Sequence, residues 1–258
     1  MAIIILESIG FSATHSISDM LSMNGKNYVS HGSKNFRKRQ RIGKSDLSFS
    51  EFFKEMHELQ DEHANCISVH SVYSPAVISQ AVRGTCARFY GLTRKSQKDQ
   101  ILSCFFWAVN GFLNGRQDFN HHLALVHTHF AGELNKQGLV SNFQNCLMIY
   151  AMRHVLKFNL ELGLNSQKIF FMEDIVKDPN SFAIELKLID AKNPPLKVHK
   201  KVSHKEKAEK FEFLSDANIV FETLVNLISI NTNDKQWSFH EIENLLTQKG
   251  QTCPIECG

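Results

Sequence analysis

The sequence has no apolar run approaching the twenty or so residues that a membrane-spanning helix needs, so no membrane span is expected. Its apolar start, Ile3 to Leu6, has no basic stretch before it and no small-residue cleavage site after it. That segment reads as a strand and not as a secretion signal. Trp (2) and Tyr (4) are scarce beside Phe (20), a balance that reads as core filling. With no aromatic-interleaved basic platform and a net charge of only +3, nucleic acid is not an expected partner. The six cysteines fall without a framework of spacings, which places the chain in a reducing, cytoplasmic setting. Cys253 and Cys257 close the chain as CPIEC, read as a frayed tail with a metal or disulfide role left open. The cluster HHLALVHTH, from His121 to His129, matches neither HExxH nor a zinc-finger spacing, so no metal is expected. Internal repeats are absent as well.

What is present alternates. Ile3–Leu6 is expected as a buried central strand, followed by a short loop and a helix over Thr14–Leu21. Further strands are expected at Lys26–Ser30, Cys66–Pro75, Cys86–Arg94 and Lys168–Met172. Helices are expected at Ser48–Asp61, Ala76–Val82, Gln97–Asn110, through the middle from Gly115 to Gly163, and from Ser181. Two more close the chain, Ser215 to about Leu227 and Phe239–Leu246. Strands alternating with helices argue for a three-layer α/β/α domain around a mostly parallel sheet. One domain of 258 residues is expected, its core at 1–190, with a basic loop and C-terminal helices at 191–258.

The first strand–loop–helix unit carries the chemistry. Such a unit aims backbone N–H groups and a helix N-terminus at an anion. Gly10 and Ala13 allow close approach of the backbone, and Ser12, Thr14 and Ser16 add hydroxyls. GFSATHSI has neither the second Gly nor the Lys of a Walker A loop. An ordinary first strand and helix of an α/β domain is the plain alternative. After the second strand, Lys34, Arg37, Lys38, Arg39, Arg41 and Lys44 crowd together, either as a solvated loop or to receive a charged substrate.

GFSATHS resembles the 5′-phosphosulfate loop of the sulfotransferases, Pro-Lys/Arg-Ser-Gly-Thr-Thr before an apolar helix. Ser12 and Thr14 match, while Gly10 replaces Pro, Phe11 the basic residue, Ala13 the Gly and His15 the second Thr. ISVHSVY resembles the family's Lys-Thr-His-Leu-Pro strand, with His70 at the position of the catalytic base and Ser68-Val69 replacing Lys-Thr. LTRKSQKDQILS resembles the Arg-to-Ser element that holds a 3′-phosphate, through Arg94 and Ser103 nine residues on, where the family uses eight. Arg88 and Ser96 have the spacing of eight, but Arg88 sits mid-strand. KIFFMEDIVKDP resembles the late strand whose Glu, here Glu173, braces the phosphate loop.

The resemblance, over residues 3 to about 190, implies the P-loop NTPase-like sulfotransferase fold. It implies transfer of a sulfuryl group from 3′-phosphoadenosine 5′-phosphosulfate, without metal, to a hydroxyl or amine of a carbohydrate or small molecule. Gly10, Phe11, Ser12, Ala13, Thr14, His15 and Ser16 would then hold the 5′-phosphosulfate, with Arg94 and Ser103 on the 3′-phosphate. His70 would be the base, and His15 or Lys34 would supply the cation that Phe11 does not. His31 and Lys34 are the expected acceptor-binding residues. Plainer readings stand beside these: a core histidine for His70, a surface ion pair for Arg94, a helix-surface serine for Ser103. A non-catalytic nucleotide binder of the same fold, or a P-loop-type small-molecule kinase, remains the alternative function. The oligomeric state is not legible.

Overall fold

The computed structural model describes residues 2–23, 27–32, 49–71, 73–113, 134–135, 143–188 and 216–251. The chain forms two compact units, one built from Met1–Lys95, Phe158–Lys201 and Leu245–Gly258, the other from Ser96–Lys157 and Val202–Asn244.

The first unit holds a five-stranded parallel sheet of β1 (Ala2–Glu7), β2 (Asn27–His31), β3 (Asn65–Val69), β4 (Arg88–Thr93) and β5 (Lys168–Phe171). Their spatial order is β2-β3-β1-β4-β5, with β1 pairing β3 from Ala2↔Asn65 to Leu6↔Val69 and β4 from Ile4↔Arg88 to Glu7↔Gly91. The run of apolar residues in β1 is explained by this central place: Ile3, Ile4, Ile5 and Leu6 are all buried, so both faces of the strand are covered.

On one face Ile4, Leu6, Ile67, Val69, Tyr90, Leu92 and Phe170 pack with Ile17, Met20 and Leu21 of helix α1 (Thr14–Ser22). Phe182 and Leu186, in and just after a short late helix, Pro179–Glu185, join the same cluster. The opposite face carries Gly91, where a Cβ would run into Ile169 and touch Leu162, near the end of the long helix Phe143–Asn165. At Gly163 of that helix a Cβ would come within 2.8 Å of Leu245. Helices thus cover both faces of the sheet, the three-layer α/β/α arrangement.

The chain leaves β1 through α1 toward β2 at one edge, whereas it leaves β3 and β4 toward β5 at the other. Opposite departures of neighbouring strands open a crevice at their carboxyl ends, where open α/β sheets bind ligands.

Elements arise close to where periodicity places them, with three differences. The expected strand Cys66–Pro75 stops at Val69, because His70 turns into the left-handed region (φ 54°) and Pro75 opens the helix Pro75–Val82. A short helix, Met172–Lys177, follows β5 directly. A two-stranded antiparallel hairpin, β6 (Ser229–Asn231) with β7 (Gln236–Ser238), lies in the second unit where no strand is expected. The central helical expectation holds over Phe143–Asn165; most of 115–142 lies outside the described residues.

In the second unit the helix Gln97–Leu113 meets the helix Ala217–Val225 through Lys98, which pairs with Glu222 at 2.7 Å and lies over the Phe221 ring. The closing helix Phe239–Gln251 starts with a capping box. Ser238 Oγ accepts from the Glu241 N–H at 3.3 Å, and the Glu241 carboxylate accepts from the Ser238 N–H at 2.8 Å. After a stronger bond from Lys235, the bonds from the Ser238 N–H and, at 2.9 Å, the Ser238 hydroxyl hold the Glu241 carboxyl down at about 2.

Candidate functional site

The β1–α1 loop is built to an unusual backbone plan. Gly10 (φ 94°), Phe11 (φ 58°) and Ala13 (φ 53°) all occupy the left-handed region, which costs a non-glycine residue about 1 kcal/mol or more. Left-handed residues set among right-handed ones turn consecutive N–H groups toward a common point, the geometry of an anion nest. Ala13 caps α1 without a side-chain hydrogen bond, and its carbonyl accepts the first helical bond, from Ile17 at 3.0 Å. At the N-terminal end of a helix the aligned peptide dipoles leave partial positive charge, which favours an anion.

The loop's own hydroxyls hold it closed. Ser8 Oγ accepts from the Gly10 N–H at 3.1 Å, and Ser12 Oγ donates to the Gly10 carbonyl at 3.0 Å while lying 3.2 Å from Ser8 Oγ. Ser8 and Ser12 are wholly buried. Ser12, expected on the ligand, therefore turns its hydroxyl into the loop and supports the backbone. Thr14 and Ser16 are also buried; Thr14 Oγ1 lies 3.2 Å from His31 Nε2.

Three imidazoles converge beside this loop. His15, from the first turn of α1, stacks on His31 from the end of β2, with ring centroids 3.9 Å apart and planes 20° apart. His31 in turn faces His70, just past β3, at 5.5 Å between centroids. Gly32 makes this approach possible, since a Cβ there would collide with the His70 carbonyl. His70 continues the register of β3 beside β1, and its N–H donates to the Leu6 carbonyl at 2.9 Å.

The protonation of His70 follows from its partners. Nδ1 lies 2.6 Å from the Ser8 carbonyl oxygen, which can only accept, so Nδ1 carries the proton and Nε2 keeps its lone pair. Gly10 lies on the Nε2 side of the ring: a Cβ at Gly10 would sit 4.0 Å from Nε2 and 3.8 Å from Cε1. Burial pushes the imidazole below its ordinary 6.5, opposed by the bond to Ser8. About 20% of the side chain remains exposed, enough for a ligand to reach it.

Glu7, the last residue of β1, is fully buried behind this histidine. Its Oε1 accepts from the Ser8 N–H at 3.1 Å and lies 3.8 Å from His70 Nδ1. Its Oε2 accepts from the Ser71 N–H at 2.9 Å and from the Ser71 hydroxyl. Sequence reasoning passed over Glu7, because a glutamate after an apolar run reads as the start of a solvated loop. Its one signal is position: a carboxylate ending the most buried strand of the sheet.

Arg94 leaves β4 at the same sheet edge as the loop, since β4 runs on through Leu92 and Thr93 beyond its last pair with β1. The turn after it is fastened by helix Met172–Lys177: Glu173 Oε2 accepts from the Lys95 N–H at 3.0 Å, and Lys95 Nζ pairs with Asp174 at 2.6 Å. Glu173 thus braces the backbone beside Arg94, where the resemblance led us to expect it behind the β1–α1 loop. The sheet edge brings together the β1–α1 loop, His15, His31 and His70, and Arg94 follows β4 at that same edge. Ser103 sits half-buried on the helix Gln97–Leu113 of the second unit. Lys34, the rest of the basic run, His121–His129 and the closing cysteines lie outside the described residues.

Among the described residues no group of three or more His, Cys, Asp or Glu is arranged to hold a metal ion. No helix among them is long and apolar enough to cross a membrane. No family model, curated protein or solved structure matches the chain.

Proposed function

We propose that the chain transfers a sulfuryl group from 3′-phosphoadenosine 5′-phosphosulfate to a hydroxyl or amine of a carbohydrate or small-molecule acceptor. The observation that carries this reading is the lone-pair nitrogen of His70, set beside the Gly10 turn of the β1–α1 loop. A base is useful there only if an acceptor loses a proton next to a bound phosphate-like group. The residue types suit a doubly anionic donor: the loop and the start of α1 for one end, and Arg94, which follows β4 at the same sheet edge, for the other.

The donor supplies an activated sulfur with phosphate as its leaving group. The acceptor oxygen or nitrogen forms its bond to sulfur as the bridging sulfur–oxygen bond breaks, and the electron pair stays on the departing phosphate. His70 Nε2 takes the acceptor's proton. The loop N–H groups meet the charge that grows on the phosphate, and His15, stacked on His31, or Lys34 takes the place of the basic residue that Phe11 replaces.

Phe11 favours a second reading, a nucleotide binder without turnover, because it gives the loop no cation of its own. Incubation with sulfur-labelled donor and a panel of sugar and amine acceptors separates the two. Label should move to an acceptor, and His70→Asn should slow the transfer by about 10²–10⁴-fold. Tight binding of adenosine 3′,5′-bisphosphate with no transfer to any acceptor assigns the binder. Stabilisation by ATP–magnesium but not by the bisphosphate assigns a kinase.

A further inference from the structure

The buried carboxylate of Glu7 has no part in the scheme above, yet its bonds bracket the base on both sides. Oε1 holds the N–H of Ser8, whose carbonyl fixes the His70 ring; Oε2 holds the N–H and hydroxyl of Ser71, the residue directly after His70. We infer that Glu7 is the positioning residue of the His70 base, clamping the two backbone segments that set its ring orientation and its tautomer. The inference rests on the reading of His70 as a base.

Three features make this more than local packing. His70 holds a left-handed backbone (φ 54°), uncommon for a residue other than glycine, and the two bonds from Ser71 to Glu7 fix the chain directly after it. Glu7 and His70 are adjacent across the β1–β3 pair, so the clamp is short and carried by the most rigid part of the sheet. The carboxylate oxygen 3.8 Å from Nδ1 also favours the imidazolium that forms once Nε2 has taken a proton. Burial keeps the resting ring neutral while the carboxylate eases its protonation during transfer. Among the described residues, the other titratable groups facing His70 are His31 from β2 and, through it, His15 from α1.

The test is a nitrogen-15 spectrum of the histidine side chains, recorded on the full chain without nucleotide. In the wild type, His70 should carry its proton on Nδ1; a proton on Nε2, or a mixture of tautomers, overturns the clamp and needs no variant. Glu7→Gln should lower the His70 titration midpoint by about one pH unit, since a negative charge nearby is lost. It should also reduce kcat by about tenfold or more with the KM for donor unchanged. An unshifted midpoint in a folded Glu7→Gln protein overturns the inference. A shifted midpoint in a protein that moves no sulfuryl group upholds the clamp and rejects the transfer reaction instead.

Discussion

His70 Nδ1 donates to the carbonyl oxygen of Ser8 at 2.6 Å, across 62 residues of sequence. That bond joins the end of β3 to the β1–α1 loop and leaves Nε2 as the basic nitrogen of the site. Because burial depresses the imidazole below 6.5, the ring is neutral at physiological pH. Turnover should therefore fall on an acid limb centred below pH 6.5. The folded state also binds this proton less readily than the unfolded chain does. Its stability is undiminished above 6.5 and is lost as pH falls from there through the folded-state value. Thermal midpoints of wild type and His70→Asn measured across this range should converge toward acid; parallel curves contradict the assignment.

Ala13 caps α1 in a left-handed conformation that glycine adopts without strain. Ala13→Gly should stabilise the protein by about 0.5–1 kcal/mol, measured by urea denaturation, with no loss of affinity for the bisphosphate. Destabilisation would mean that the alanine methyl is packed rather than strained.

Gly32 admits the His70 backbone at the end of β2. Gly32→Ala should destabilise the first unit by about 1–3 kcal/mol, since the obstacle is backbone and cannot swing aside. It should also perturb the His15, His31 and His70 ring resonances together, because His31 lies against both of the other rings. A spectrum changed at only one of them contradicts that arrangement.

The sheet was legible because its signals are local. Four consecutive apolar residues at Ile3–Leu6 can only be buried on both faces, and a histidine ending a β-branched run falls at the carboxyl edge of a parallel strand. Much of the site was not legible, because its bonds join distant segments. Thr14 meets His31 and Glu7 meets Ser71 only after β1, β2 and β3 have paired. Ser12 looks like a ligand hydroxyl in sequence, and only the folded loop reveals that Gly10 claims it. The β6–β7 hairpin escaped notice since three-residue strands around Thr232 and Asp234 carry too little alternation to register.

In the proposed reaction the β1–α1 loop and Arg94 grip opposite ends of one doubly anionic nucleotide. Calorimetric titration with adenosine 3′,5′-bisphosphate tests it most directly, on the wild type and on Arg94→Ala. Saturable one-to-one binding is expected, weakened by about 2–3 kcal/mol in the variant through loss of a charge-assisted pair. Equal affinity in the two proteins, or no heat of binding in the wild type, contradicts it.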